Sequence, residues 1–211
     1  MVVKRSAKQP AKQAAGTGLP TRTQAQRRER TRAALLAAAR AMFAELGYAA
    51  AAREDIVERA GVTRGAMYHH FNSKEALFQA VFEDVEAELC EAIAKSAMAS
   101  SDPIEQLRLG ARAFLDAAAT HEVRRIVLLD APAVLPVEVR RRLAEQYGLG
   151  MVREALRHAD AAGRLTVGPV DALSLVVMAV LHEAATAIAD GDDSEAMHSV
   201  INGMIGAITR P

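Results

Sequence analysis

Glu54-Asp55-Ile56-Val57-Glu58-Arg59-Ala60-Gly61-Val62-Thr63-Arg64-Gly65-Ala66-Met67-Tyr68-His69-His70-Phe71 decides the fold. Two short helical stretches, near 53–60 and 64–71, flank Gly61-Val62-Thr63. Ile56, Ala60, Val62 and Met67 can form a small core shared between them. Gly61 permits the turn, where a side chain would clash. Thr63 suits the N-cap of the second helix. Together these features describe a helix-turn-helix. In such motifs the start of the second helix meets base edges. Here that start is Thr63, Arg64, Gly65 and Ala66. Arg64 can donate two hydrogen bonds to guanine. Thr63 can reach a base or a phosphate. Gly65 and Ala66 are small enough to admit close backbone approach and to touch a thymine methyl. Tyr68, His69 and Lys74 carry donors suited to phosphate, and the helix dipole adds to them.

Helices continue on both sides of the motif. One is predicted from near Thr23 to Leu46, with Leu35, Leu36, Ala39, Phe43 and Leu46 as its apolar stripe and Gly47 as a C-terminal cap. Ser73 caps a long helix over about 74–98, with Leu77, Val81, Val85, Leu89 and Ile93 on one face. Asp102-Pro103-Ile104-Glu105 is a strong helix start, and that helix runs to about Ala119. Further helices are predicted at 121–130, from about Pro136 to Ala161, at 170–190 and at 194–209. The fold class is therefore all-α, with about nine helices and no strand. The chain holds 45 Ala in 211 residues, five Phe, three Tyr and no Trp, which excludes sandwiches and barrels. The organisation reads as a disordered basic arm (1–22), a helix-turn-helix domain (23–73, motif about 52–71) and a helical C-terminal domain (74–211).

Net charge is zero, but its distribution is not even. Residues 1–80 hold 14 basic and 6 acidic side chains, a balance of +8; residues 81–211 hold 12 and 20, a balance of −8. This asymmetry points the N-terminal part at a polyanion. Arg22, Arg27, Arg28, Arg30 and Arg32 add sequence-independent attraction to it. The single cysteine, Cys90, excludes an intramolecular disulfide framework and cysteine-based zinc sites. It fits a reducing cytoplasm and reads as a small buried apolar residue. The first twenty residues lack the apolar core of a signal peptide.

The stretch Phe43…Gly47-Tyr48…Asp55-Ile56…Ala60-Gly61-Val62-Thr63-Arg64-Gly65-Ala66-Met67-Tyr68-His69-His70-Phe71-Asn72-Ser73-Lys74-Glu75-Ala76-Leu77 resembles the DNA-binding domain of the TetR family of bacterial transcriptional regulators. The resemblance covers about residues 28–85. It implies a homodimer on a palindromic operator, most often a repressor, released when a small molecule enters the C-terminal domain. It also implies base contacts from Thr63, Arg64, Gly65 and Ala66, and phosphate contacts from Tyr68, His69 and Lys74. One departure stands out. The family has Thr or Ser before the first motif helix, where this chain has Ala49-Ala50-Ala51-Ala52-Arg53. The capping hydroxyl is missing, a loss of about 1 kcal/mol, and Arg53 is the candidate to recover a phosphate contact. A twofold dimer spaces its recognition helices about 34 Å apart.

Residues 172–189 are apolar nearly all round, but too short and too charged at His182 and Glu183 for a membrane span. Burial on every side suggests an intermolecular four-helix bundle with the last helix. Leu173, Val177, Leu181, Met197, Ile201, Met204, Ile205 and Ile208 are its candidate interface. An effector pocket is predicted among helices 103–119, 121–130, 136–161 and 170–190, lined by Phe114, Leu128, Tyr147, Met151, Met178 and His182. Charges there are too few to require a charged effector, so a small hydrophobic or amphipathic one is expected. His182-Glu183 lacks the second His of a zinc-protease motif, since Thr186 stands there. Adjacent His69-His70 make poor joint metal ligands. His121, His158 and His198 read as surface, and Arg140-Arg141-Arg142 as a solvated face. No nucleophile–base pairing is evident, so neither an enzyme nor a metal or cofactor is expected. The alternative is a DNA-binding adaptor without an effector, which would have a filled C-terminal core instead of a cavity.

Overall fold

A computed structural model describes residues 23–210. The expected basic arm, 1–22, lies outside the described residues. Among the described residues nine helical runs follow one another. They are α1 (Gln24–Ala50), α2 (Arg53–Arg59), α3 (Arg64–His70), α4 (Lys74–Ala97) and α5 (Pro103–Ala118). Next comes α6, which joins His121–Val123, a π-helical Arg124–Asp130 and Ala131–Val134. A two-part α7 (Val137–Gln146, Gly148–Ala161), α8 (Val170–Asp190) and α9 (Ser194–Ile208) complete the chain. Among the described residues the only β pairing is one isolated bridge, Leu165 with Thr209.

The caps written into the sequence are made. Thr23 and Gln26 form a capping box at α1. Ser73 accepts from Ala76 N–H at α4. Asp102 accepts from Ile104 and Glu105 N–H at α5, with Pro103 in the first turn. At α2 the cap position is Ala52, with no side-chain acceptor, as the alanine run implied.

Three boundaries differ from the sequence reading. The first is α1, which does not end before Gly47; it breaks there (φ 78°, ψ 164°) and resumes to Ala50. Leu46, expected in the stripe, is half exposed at the last position before the break. The second is α6, which passes Pro132 and ends at Val134. Pro132 falls in the opening turn of Ala131–Val134, where its missing N–H is not needed. The third is α7, which is interrupted at Tyr147 (φ −116°, ψ −107°). Gly150 makes that break possible, because a Cβ there would run into the Glu145 carbonyl.

One apolar core runs through the molecule. Leu35, Ala39 and Phe43 of α1, Leu77, Phe78 and Val81 of α4, Leu115 of α5 and Ile126 of α6 are fully buried. Phe43, Tyr48 and Phe78 form an aromatic triangle with centroids 5.2–5.8 Å apart. Polar links tie α1 to the rest. Arg40 makes paired hydrogen bonds to Glu88 of α4 and to Glu122 of α6, all 2.7–2.8 Å. The Tyr48 N–H, freed by the break at Gly47, donates to the Asp130 carboxylate at 2.7 Å. Arg125, five residues before Asp130 along the π-helical turn, pairs with the same oxygen at 3.3 Å. His198 corrects its surface assignment. It is buried, with Nε2 3.1 Å from Asp116 of α5 and Nδ1 2.6 Å from the Ser194 carbonyl. Its position on the inward face of α9, opposite an acid distant in sequence, was not visible in an isolated His. His121 is exposed, and His158 is exposed beside Glu154.

Candidate DNA-binding face and internal cavity

The reading head is α2, the turn and α3, seated on α1. Ile56 and Met67 are buried between the helices, and Ala60 and Val62 half-buried beside them. Gly61 has φ 63°. The reason for glycine is this left-handed backbone and not a clash, since a Cβ there would meet nothing within 4 Å. Arg59 and Glu45 make a two-bond ion pair at 2.8 Å that pins α2 to α1.

Seven of the eight candidate DNA contacts lie together around the α2 and α3 N-termini. Thr63 is exposed, and its hydroxyl accepts from Ala66 N–H as the N-cap. Arg64 is largely exposed, 3.4 Å from Glu54. The Tyr68 phenol and Glu54 raise its already high pKa, so its charge is permanent. Gly65 faces open space. Ala66 is half-buried, and Tyr68 and His69 are exposed. Arg53 opens α2, with its guanidinium 6.0 Å from the Tyr68 ring centre. One cation and one phenol thus stand side by side where the missing hydroxyl was noted. Lys74 is placed differently. Its ammonium donates to the Tyr48 and Ala51 carbonyls at 2.7 and 3.0 Å, over the Tyr48 ring. It closes the frayed end of α1. Glu54, which tethers Arg64, was not singled out from the sequence. His70, considered only as a metal ligand, is half-buried beside the head, and its pKa is lowered by burial and then by Arg28 and Arg32.

Behind this head lies a cavity of about 680 Å³. Its wall is mostly apolar and comes from α4, α5, α7, α8 and α9. Phe114, Tyr147, Met151, Met178 and His182 line it as expected. His182 stacks on Phe114 (5.7 Å, 13° between planes), with its accessible edge toward the cavity. Desolvation holds its pKa below the usual histidine value. Leu128 does not line the cavity. It sits on α6, whose π-helical part packs against α1, α4 and α8 and buries Ile126 and Val127. The wall segment assigned to 121–130 is supplied by α4, with Glu86, Leu89, Cys90 and Ile93. Glu86 and Cys90 were therefore missed as lining residues. Their face of α4 lies off the apolar stripe that the periodicity picked out.

The residues expected between subunits divide. Leu173, Leu181, Ile201 and Ile205 are buried within the chain and border the cavity. Val177, Met197 and Ile208 are half-buried, and Met204 is exposed. Leu175, Val176, Val200 and Met204 of α8 and α9 are 42–58% exposed, and of these Val176 and Met204 also border the cavity. A helix apolar on every side gives no periodicity from which to choose its outer face.

Residues 35–81 match the family described as bacterial regulatory proteins, tetR family, and residues 104–209 match the tetracyclin repressor-like C-terminal domain. The chain belongs to the TetR family. Its members are transcriptional regulators that bind DNA through the helix-turn-helix seen here. A TetR-family relative, the transcriptional repressor AcnR of Corynebacterium efficiens, is 28% identical over 188 residues, 86% of this chain and 94% of that one. A solved TetR-family regulator from Pectobacterium atrosepticum is 33% identical, covers 90% of this chain and all of its own, and superposes with a TM-score of 0.72. RolR in complex with resorcinol shares the TetR fold at 24% identity, covering 87% of this chain and 91% of its own, with a TM-score of 0.65.

Proposed function

We propose that this TetR-family protein is a cytoplasmic homodimeric repressor, released from a palindromic operator by a small hydrophobic or amphipathic effector. Residues 23–73 act as the reading head, and residues 74–211 bind the effector and dimerise. Arg64 reads guanine, with Thr63, Gly65 and Ala66 fitted to the major groove. Arg53, Tyr68 and His69 hold phosphates. Lys74, committed to the end of α1, positions the head and touches DNA only through its remaining donor.

The observation that carries the effector reading is the 680 Å³ apolar cavity, which is of ligand size. An adaptor that only binds DNA needs a filled core at this place. AcnR is named a repressor and RolR is solved with resorcinol, which supports a repressor with a small organic ligand. The outward patch of Leu175, Val176, Val200 and Met204 is the surface that a second copy covers.

The test is a binding titration against DNA upstream of the protein's own gene, at two salt concentrations, with wild type and Arg64→Ala. Tight wild-type binding that loses sequence preference in the variant is expected. Weak, salt-sensitive binding by wild type, with no preferred site even after selection from random DNA, would overturn specific recognition.

A further inference from the structure

The cavity contains one charge that its apolar wall does not account for. Glu86 projects from the middle of α4, and no hydrogen bond or ion pair reaches its carboxylate among the described residues. Two residues further on, Glu88 is held by Arg40 on another side of the helix. Among the described residues the wall contains no Lys or Arg. Its other acid, Glu154, is already paired with His158 at 3.2 Å. An anionic effector would find no cation here and would meet Glu86. A neutral effector would leave Glu86 without a counter-charge, so that the half-buried carboxyl would have to stay protonated or hold an uncompensated charge, which is costly.

We propose that the cavity selects monocationic amphiphiles, with a protonated amine docked on Glu86 and an apolar body against Phe114 and Leu181. This rests on the reading of the cavity as the effector site. The bond formed is a charge-assisted N–H···O contact, stronger than that from a neutral donor. The aromatic faces of Tyr147 and Phe114 suit the same ligand, since both attract a cation. Burial alone pushes the Glu86 carboxyl up to about 7, so the empty cavity tends to hold it as a neutral acid. The remaining polar groups of the wall offer Glu86 no partner: His158 is engaged by Glu154 at 3.2 Å. Cys90, one turn along α4, has its thiol pushed up to about 11 by burial and by Glu86. Tyr147 of α7 is raised by burial and by the acids of α4. Burial lowers His182 of α8, and the one polar side chain that α5 contributes is Gln106. An arriving ammonium therefore displaces the proton of Glu86 and leaves a compensated pair.

Three probes with one carbon skeleton separate the possibilities: 4-phenylbutylamine, 4-phenylbutan-1-ol and 4-phenylbutyrate. Each is titrated calorimetrically into the full-length protein and into Glu86→Gln. The wild type is expected to bind the amine at least about tenfold more tightly than the alcohol, and the acid most weakly. Glu86→Gln is expected to lose that preference while binding the alcohol as before. The wild type supplies a second readout that does not depend on the variant's folding. Below pH 7, amine binding in buffers of different ionisation heat should release close to one proton per site, whereas the alcohol should release none. Equal binding of amine and alcohol, or an amine preference that survives Glu86→Gln, overturns the charge selection and leaves the effector site standing. If none of the three binds, and Nile red added to the protein keeps its emission in water, the effector-site reading falls with it.

Discussion

Single side chains set much of this protein's behaviour, and Glu86 shows how. Its carboxyl holds a proton up to about pH 7 in the folded chain, against an ordinary value of 4.5. A raised acid favours the folded state fully below the lower value, and that contribution is lost as pH rises through the upper one. Glu86→Gln should therefore match the wild type in thermal unfolding at pH 5 and exceed it at pH 8, by about 1–3 kcal/mol. A gap that does not widen with pH would show that Glu86 is solvated. The residues of the reading head were legible because their chemistry is local: a cap, a turn and a guanidinium sit within ten positions of one another. Glu86 was not legible. One acid among many on a long amphipathic helix looks solvated until five helices close around it. Lys74 sits between these cases. Its charge was legible, but the carbonyls it holds lie 23 and 26 residues away.

Helices and their ends were the readiest features to find, because caps and periodicity act over one turn. Thr63, Ser73 and Asp102 were identified before any packing was known, and each makes the bond expected of it. Interruptions inside helices were harder, because a second element imposes them. Gly47 illustrates this. It looked like an ordinary cap, yet its φ of 78° hands the Tyr48 N–H to Asp130, and a Cβ there would land on the Arg125 guanidinium. Gly47→Ala is expected to destabilise the fold by about 1–3 kcal/mol in urea unfolding. Gly61→Ala has the same kind of backbone but open surroundings, so its cost should be limited to about 1–2 kcal/mol of left-handed strain. Equal losses at the two positions would mean that Arg125 yields freely and the α1–α6 contact is slack.

At the scale of the whole molecule, the charge halves and the all-helical architecture followed from composition, whereas the outer face of α8 and α9 did not. Only the packed chain shows that Leu173, Leu181, Ile201 and Ile205 turn inward while Leu175 and Val200 turn out. Val200→Asp places a charge on that outward patch without touching the cavity. Light scattering should then give a particle of one chain, 22.5 kDa, in place of two, with operator affinity falling alongside it. A variant that stays dimeric would move the interface elsewhere. Arg40 carries a further consequence. Its guanidinium grips Glu88 and Glu122 at once, with four contacts of 2.7–2.8 Å. Glu88 lies two residues from the carboxylate inside the cavity, so α1 is coupled to that very turn of α4 across one helix diameter, about 10 Å. One side chain thus ties three helices together at a single point. If α4 and α6 slide past each other by an ångström, one fork must stretch or let go, and the reading head has to travel with whichever helix keeps its grip.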